Sequence, residues 1–512
     1  MDGIDVKPGT ALRAGIAALG LLGGMQSGWT ETVLHVAYQE DMSTFDPDNA
    51  FALYGLDALR ATYQGLIQYK PGSTELTGWL AESWSVSNDG LTYRFRLHRG
   101  VRFHDGHALT ASDVLAYFRR RKSPDLALSY FLNGVADMSA PDADTFVIRL
   151  AAPDPSFLDR LASAWGPKIV GPGALVDHAG SDHAETWLND HEDGTGPYRM
   201  TEFNRGQRYV LSRNEDYWGR RPYFDRIQIE IVPTMAQQML MLRKGDLDLI
   251  QTGYPFEQLH HLPGGLRMLV HDDLGLEMAF VNGSRRLRDR LLRKAVLTAM
   301  NPAGWLDDAF FGFATPAHSL YPRAMLGAPA PVEFPSDLAA ARQIVAHVAP
   351  VSLEIAYEDQ ESAVQQHPAE LLASALEQIG IHATVRPYPS DQVPLFADDL
   401  EHAPDLFIAE NYPDAAHPST QAGVFFARTA PLNYFAYKNA QIDQLIDAAA
   451  LVNDPADRDR RYLDISKRLF ADMAFVPLAD IRGVIVYRQG LTDLDTRPAL
   501  PWVVDYESIR RE

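Results

Sequence analysis

Residues 81–117, AESWSVSNDGLTYRFRLHRGVRFHDGHALTASDVLAY, decide how the rest of this chain is read. Asn88, Asp89 and Gly90 tolerate positive φ and form a tight turn. Before them lies the short run 83–87. After them Leu91, Tyr93, Phe95 and Leu97 alternate with Thr92, Arg94 and Arg96, the period-2 pattern of a strand with one buried face. Gly100 interrupts that run, residues 101–103 resume it, and Asp105-Gly106 turns the chain again. Thr110 and Asp113 have the spacing of a capping box, with Asp in place of Glu. They open a helix whose Val114, Leu115 and Phe118 fall on one face. The unit is hairpin, turn, strand and capped helix, and none of its residues is in a catalytic role.

Working outward, residues 33–38 read as the first strand, Thr44 to Pro47 as a turn, and 53–69 as a helix with Leu56, Leu59, Tyr63 and Leu66 at helical spacing. On the other side, 145–150 alternates as a strand, Pro153 and Pro155 break it, and 157–164 is a short helix. Gly194-Thr195-Gly196-Pro197-Tyr198 is a tight glycine turn leading into paired strands at 198–203 and 209–213. Residues 224–232 alternate through Ile227, Ile229 and Ile231, 235–244 is a helix stopped by Gly245, and 247–250 is a short strand. The same rhythm returns at 351–357, at the helix 368–379 with Gly380 at its C′ position, and at 381–388. A buried strand follows at 405–409. Strand–helix–strand at these lengths is a βαβ unit, and two such regions predict two α/β lobes. The proline-rich stretch 316–335 is the candidate long connection.

A chain of 512 residues exceeds one hydrophobic core and predicts two or three domains. Its composition, 46% hydrophobic and 22% charged, is that of an ordinary globular protein. A formal net charge of −21 argues against a nucleic-acid or anionic-membrane partner. With no cysteine, the chain has no disulfide, thiolate metal site, cysteine nucleophile or lipid-modified N-terminal cysteine. Lys7 and Arg13 precede the apolar run 14–22, so residues 1–30 read as a secretory leader and the protein as exported without a lipid anchor. No run of 18 apolar residues predicts a membrane span.

The chain holds no G-x-S-x-G elbow, Walker loop, G-x-G-x-x-G or H-E-x-x-H. His178, His183 and His191 lie in an acidic region, but their spacings match no standard metal-ligand pattern, and they read as a solvated segment. Asn282-Gly283-Ser284 is a formal glycosylation sequon. With 21 tyrosines and 8 tryptophans the chain has enough rigid amphipathic surface to line a ligand cleft. A binding module is expected, with no catalytic residue, no metal and no cofactor.

The order of motifs resembles the extracytoplasmic solute-binding proteins of ABC importers for oligopeptides, dipeptides and nickel, known as family 5. The resemblance is carried by LAESWSVS at 80–87, DGLTYRFRL at 89–97, GVRFHDG at 100–106 and LTASDV at 109–114. It continues through GTGPY at 194–198, NEDYWG at 214–219, KGDLD at 244–248, RKAVLTAM at 293–300 and YKNAQID at 437–443. It implies a two-lobed α/β periplasmic-binding-protein-like fold of the class II type, with an additional inserted subdomain. By that analogy lobe one is 31–50, 165–272 and 484–512, the inserted subdomain is 51–164, and lobe two is 273–483. It further implies a monomer that delivers a small-molecule or peptide ligand to membrane permease and ATPase subunits.

In peptide-binding members of that family, a W-x-A-D-Y-x-D-P segment supplies an aspartate for the peptide's ammonium group. The matching residues 407–414 place Asn411 at that aspartate's position, followed by Tyr412 and Asp414. An asparagine hydrogen-bonds but brings no charge. Either Glu410 or Asp414 takes over, or the solute lacks a free ammonium, as an opine, an oligosaccharide or a nickel chelate would. A ligand-sensing role for the same fold stays open as well. The resemblance also places Gln39, Glu40 and Tyr54 near the hinge, Asn282 after a lobe-two strand, and Trp165 and Lys168 at the end of the subdomain.

Overall fold

A computed structural model describes residues 31–327, 333–335, 337–348, 350–359 and 362–512, and Thr32–Glu512 forms one compact unit. The leader expected at 1–30 and part of the proline-rich connection lie outside the described residues. Among the described residues no helix is long and apolar enough to cross a membrane.

The opening stretch folds as its local chemistry predicts. Ala81–Val86 pairs antiparallel with Thr92–Leu97 across a turn in which Gly90 has φ 69°, and Thr110 and Asp113 close a reciprocal capping box on the helix Ala111–Arg121. Thr145–Leu150 and Val135–Ser139 complete a four-stranded antiparallel sheet, in which the buried Phe95 and Phe146 are cross-strand partners. The expected strand at 101–103 is reduced to a single bridge between Arg102 and Ala108, because Asp105-Gly106 turns the chain too soon for a ladder.

A second four-stranded sheet orders Val33–Tyr38, Arg226–Ile231, Arg208–Arg213 and Tyr198–Asn204, with the first pair parallel. A three-stranded sheet sets Gly483–Arg488 between Leu249–Ile250 and Leu266–His271. Leu249–Ile250 thus belongs to a different sheet from Arg226–Ile231, so the expected βαβ unit at 224–250 does not close. The helix Met235–Lys244 does form, and Gly245 stops it at φ 92°.

The largest sheet has six strands, in the order Ala314–Pro316, Phe475–Ile481, Leu276–Val281, Leu406–Asn411, Ser352–Glu358 and His382–Tyr388. Every residue of its central strand Leu276–Val281 is buried, as expected for a strand covered on both faces. On one side Val281, Ile355 and Ile408 meet the helices Arg290–Ala299 and Ser362–Glu377. On the other, Phe280, Phe407 and Phe475 meet Phe425, Phe426 and Tyr434. Here the expected βαβ unit is real: Ser352–Glu358 and His382–Tyr388 pair parallel, flanking the helix Ser362–Glu377. The described part of the proline-rich stretch is no simple connection, since it supplies the edge strand Ala314–Pro316 and the short helix Arg323–Leu326.

The helix expected over 53–69 is only Leu56–Thr62; the chain turns at Gly65, and Ile67–Tyr69 pairs with Leu76–Gly78. A Cβ on Gly65 would stand 2.9 Å from the Pro167 carbonyl oxygen, so packing rather than propensity ends the helix. Close packing also explains the GTGPY motif. Gly194 and Gly196 press against the Thr62 and Ala61 carbonyls where any Cβ would overlap them.

Two adjacent links join the six-stranded sheet to the three-stranded one: residues 272–275 on one strand and Arg482 on the other, cross-bonded from Ile481 N–H to Gly275 O at 3.1 Å.

Candidate functional site

The end of the six-stranded sheet beside these links carries the residues that the sequence singled out. Asn411 is the last residue of its strand, opposite Leu276, and is 8% exposed; its Nδ2 donates to Ala409 O at 3.1 Å. The Tyr412 hydroxyl donates to Glu410 Oε1 at 2.7 Å and is also hydrogen-bonded by Trp502, from the far C-terminal segment. Burial raises the Tyr412 phenol well above its ordinary range, and Glu410 and Asp273 raise it further. Asp273 is pushed up to about 8, by burial first and then by Glu410. A desolvated pair of like charges favours the neutral form of one member.

Asp414, in the loop after Leu406–Asn411, meets residues 130 and 163. Its carboxylate accepts the Tyr130 hydroxyl at 3.0 Å, its carbonyl accepts the Ser163 hydroxyl, and burial raises its pKa. Nearby, Ala416 N–H donates to the Tyr69 hydroxyl at 3.0 Å.

Facing Tyr412, Trp502 forms the outer wall of a small recess also lined by Gln39, Tyr54, Asp57, Gln251 and Thr252. Tyr54 donates to Gln39 Oε1 at 3.1 Å, and its ring lies 5.3 Å from that of Trp502. Trp502 adopts φ 57°, an uncommon conformation for a bulky side chain. At the base of the recess Asp57 is 3% exposed. It accepts both the Tyr38 and Tyr506 hydroxyls, Gln251 Nε2 at 2.6 Å and Ala58 N–H at 2.8 Å. Burial pushes its carboxyl up to about 6 against the lowering effect of these donors.

The structure thus brings together Gln39 and Tyr54 on one side, and Tyr412 and Glu410 on the other, with Trp502 bridging; Asn411 turns to Ala409 O within its own strand, and Asp414 contacts Tyr130 and Ser163. Glu40 is exposed beside Gln39. Trp165 is 5% exposed, stacks on Phe51 at 5.5 Å and donates its indole N–H to Phe51 O at 2.9 Å. Lys168 is turned inward, its ammonium donating to the carbonyls of Ala164 and Gly166, and burial pulls its pKa down to about 7. Asn282 is not brought to this corner. It follows the opposite end of Leu276–Val281, fully buried, with Nδ2 donating to Leu400 O and Pro404 O. His178 and His191 both stack on Trp187, and among the described residues no group of three His, Asp or Glu could hold a metal ion.

Residues 75–431 match the model of the bacterial extracellular solute-binding proteins, family 5. The chain belongs to this family. Among curated relatives, the probable D,D-dipeptide-binding periplasmic protein DdpA of Escherichia coli K12 is 27% identical over 469 residues, covering 87% of this chain and 90% of that one. Di/tripeptide-binding protein 2 of Pseudomonas aeruginosa is 25% identical, covering 93% and 94%. Among solved structures, the periplasmic binding protein DppA of Helicobacter pylori, in complex with the peptide STSA, superposes with a TM-score of 0.78 at 24% identity, covering 94% and 98%. The fold of this family-5 protein is accordingly the two-lobed α/β fold of periplasmic binding proteins, and it is a solute-binding protein.

Sequence reading missed Asp57, Tyr130, Gln251 and Trp502. Asp57 is not among the residues at helical spacing in 53–69, Leu56, Leu59, Tyr63 and Leu66, yet all seven residues of Leu56–Thr62 are buried. Trp502 lies in no periodic segment; its one signal was Pro501 directly before it, which reads only as a turn.

Proposed function

We propose that this protein is the substrate-binding component of an ABC importer and captures a peptide or peptide-like solute between two closing lobes. Lobe one is 31–50, 165–272 and 484–512, with 51–164 as an inserted subdomain, and lobe two is 273–483. The observation that carries the reading is the corner where Trp502, Tyr54 and Gln39 face Tyr412 and Glu410, next to the paired links at 272–275 and Arg482. Two short neighbouring links leave one soft axis, so the lobes close as rigid bodies. A solute that touches both sides stabilises the closed form by its differential contacts. Gln39, Glu40, Tyr54, Trp165, Glu410, Asn411, Tyr412 and Asp414 are the residues assigned to the cleft wall. The closed form would then dock on a permease outside the cytoplasmic membrane, and the chain acts as a monomeric binding module rather than as an enzyme.

A thermal-shift screen of di- and tripeptides, opines, sugars and nickel chelates tests this directly. A ligand at 100 times its Kd adds about 2.7 kcal/mol to the native state. A midpoint rise with peptides only supports the reading. Protection by sugars or chelates and not by peptides would replace it, and turnover of any compound in the screen would defeat the assignment as a pure binding module.

A further inference from the structure

Asp57 poses a charge problem. Its carboxylate is almost fully buried, and all four of its hydrogen-bond donors are neutral. Among the described residues no lysine or arginine pairs with it. The nearest basic residue in sequence, Arg60, is turned away to Asp505 at 3.3 Å and to the face of Trp79 at 4.4 Å. A buried carboxylate without a cation is costly, and neutral donors offset only part of that cost. Such a group is normally neutralised or paired.

The carboxylate also lines a hollow of about the size of one water molecule, together with Trp502 and Tyr54. Gln39, Gln251 and Thr252 line it beside the two aromatic rings of Tyr54 and Trp502. An –NH3+ group has the size of water, donates three hydrogen bonds and carries the missing charge. Asn411, whose amide turns to Ala409 O within its own strand, offers no charge to compete for it.

We propose that this hollow receives the primary ammonium group of the bound solute, with Asp57 as its counter-ion and Trp502 as its outer wall. The inference rests on the peptide-like solute proposed above. It places the charged end of the solute where the inserted subdomain (Tyr54, Asp57) meets lobe one (Gln39, Gln251, Thr252, Trp502), under a tryptophan that also reaches Tyr412, so filling the hollow braces the contact with lobe two.

The test compares a mixed tripeptide pool with the same pool N-acetylated, by thermal-shift titration of wild type, Asp57→Asn and Thr252→Leu. Thr252→Leu fills the hollow and leaves the Asp57 hydrogen bonds in place, so it decides the matter if Asp57→Asn fails to fold. Free-amine peptides should bind wild type about 30-fold more tightly than acetylated ones, the scale of a desolvated charge gaining its counter-ion. Each variant should reduce that ratio to about threefold or less. Equal binding of both pools by wild type, or an undiminished ratio in folded variants, would overturn the site and leave the peptide-like reading standing. If neither pool binds, that reading falls, and cadaverine decides the site: protection of wild type that both variants lose supports it, and no protection overturns it.

Discussion

Replacing Asp48 by Asn removes one charge from a cluster that water does not reach. Asp46 and Asp48, from the loop after the first strand, face Arg120 and Arg121 of the helix Ala111–Arg121. Arg120 meets Asp46 at 2.6 Å, Arg121 meets Asp48 at 2.6 Å, and the Tyr117 hydroxyl donates to Asp48 at 2.5 Å. The four charged side chains are 0–5% exposed and sum to zero. An amide keeps the volume of Asp48, but it turns an N–H toward one guanidinium and leaves Arg121 without a carboxylate. Breaking one partner of a buried pair costs about 3–5 kcal/mol. The pair Arg96–Glu82 has the same 2.6 Å separation, yet its side chains are 53% and 42% exposed; solvent screening limits such a pair to about 1 kcal/mol or less. Urea unfolding followed by tryptophan fluorescence on wild type, Asp48→Asn and Arg96→Gln separates the two at a common slope. A loss below about 1 kcal/mol for Asp48→Asn, or one no greater than for Arg96→Gln, would refute the claim that burial rather than distance sets the strength of these pairs.

Gly194→Ala should destabilise the protein by about 2–3 kcal/mol, because the new methyl overlaps the Thr62 carbonyl; Gly264→Ala, with open space around it, should shift the urea midpoint negligibly. Asp273, with its pKa raised to about 8 by burial and Glu410, favours its protonated form in the folded state. Its contribution to stability is full below the unfolded carboxyl value of about 3.9 and is lost as pH rises through about 8. Asp273→Asn should therefore gain on wild type across that window in urea midpoints taken from pH 4 to 9, and parallel curves would contradict it. Tyr130→Phe removes the hydroxyl that Asp414 accepts; about 1.5 kcal/mol lost from the closed form predicts roughly tenfold weaker solute binding and a larger ligand-free radius of gyration by X-ray scattering. An unchanged radius and affinity would show that this contact does not hold the lobes together.

The sequence by itself determined what local physics controls. The Gly90 turn, the Thr110–Asp113 capping box, the Gly245 stop and the parallel pair around Ser362–Glu377 each depend on residues close in the chain or on strict alternation, and each formed as read. The motif order that reveals the family is likewise a property of the linear chain. Tertiary structure decided what distant segments do to one another. It cut the helix expected over 53–69 to seven residues by pressing Pro167 on Gly65, and it set Gly194 and Gly196 against the end of that helix. It sent Asn282 to the far end of a strand whose near end faces Asn411. Above all it assembled the recess, where Asp57 meets Gln251 and Tyr506 across 194 and 449 residues of chain. No periodicity reports such a meeting, because periodicity records which face of an element is buried and not which carboxylate ends up beneath which tryptophan.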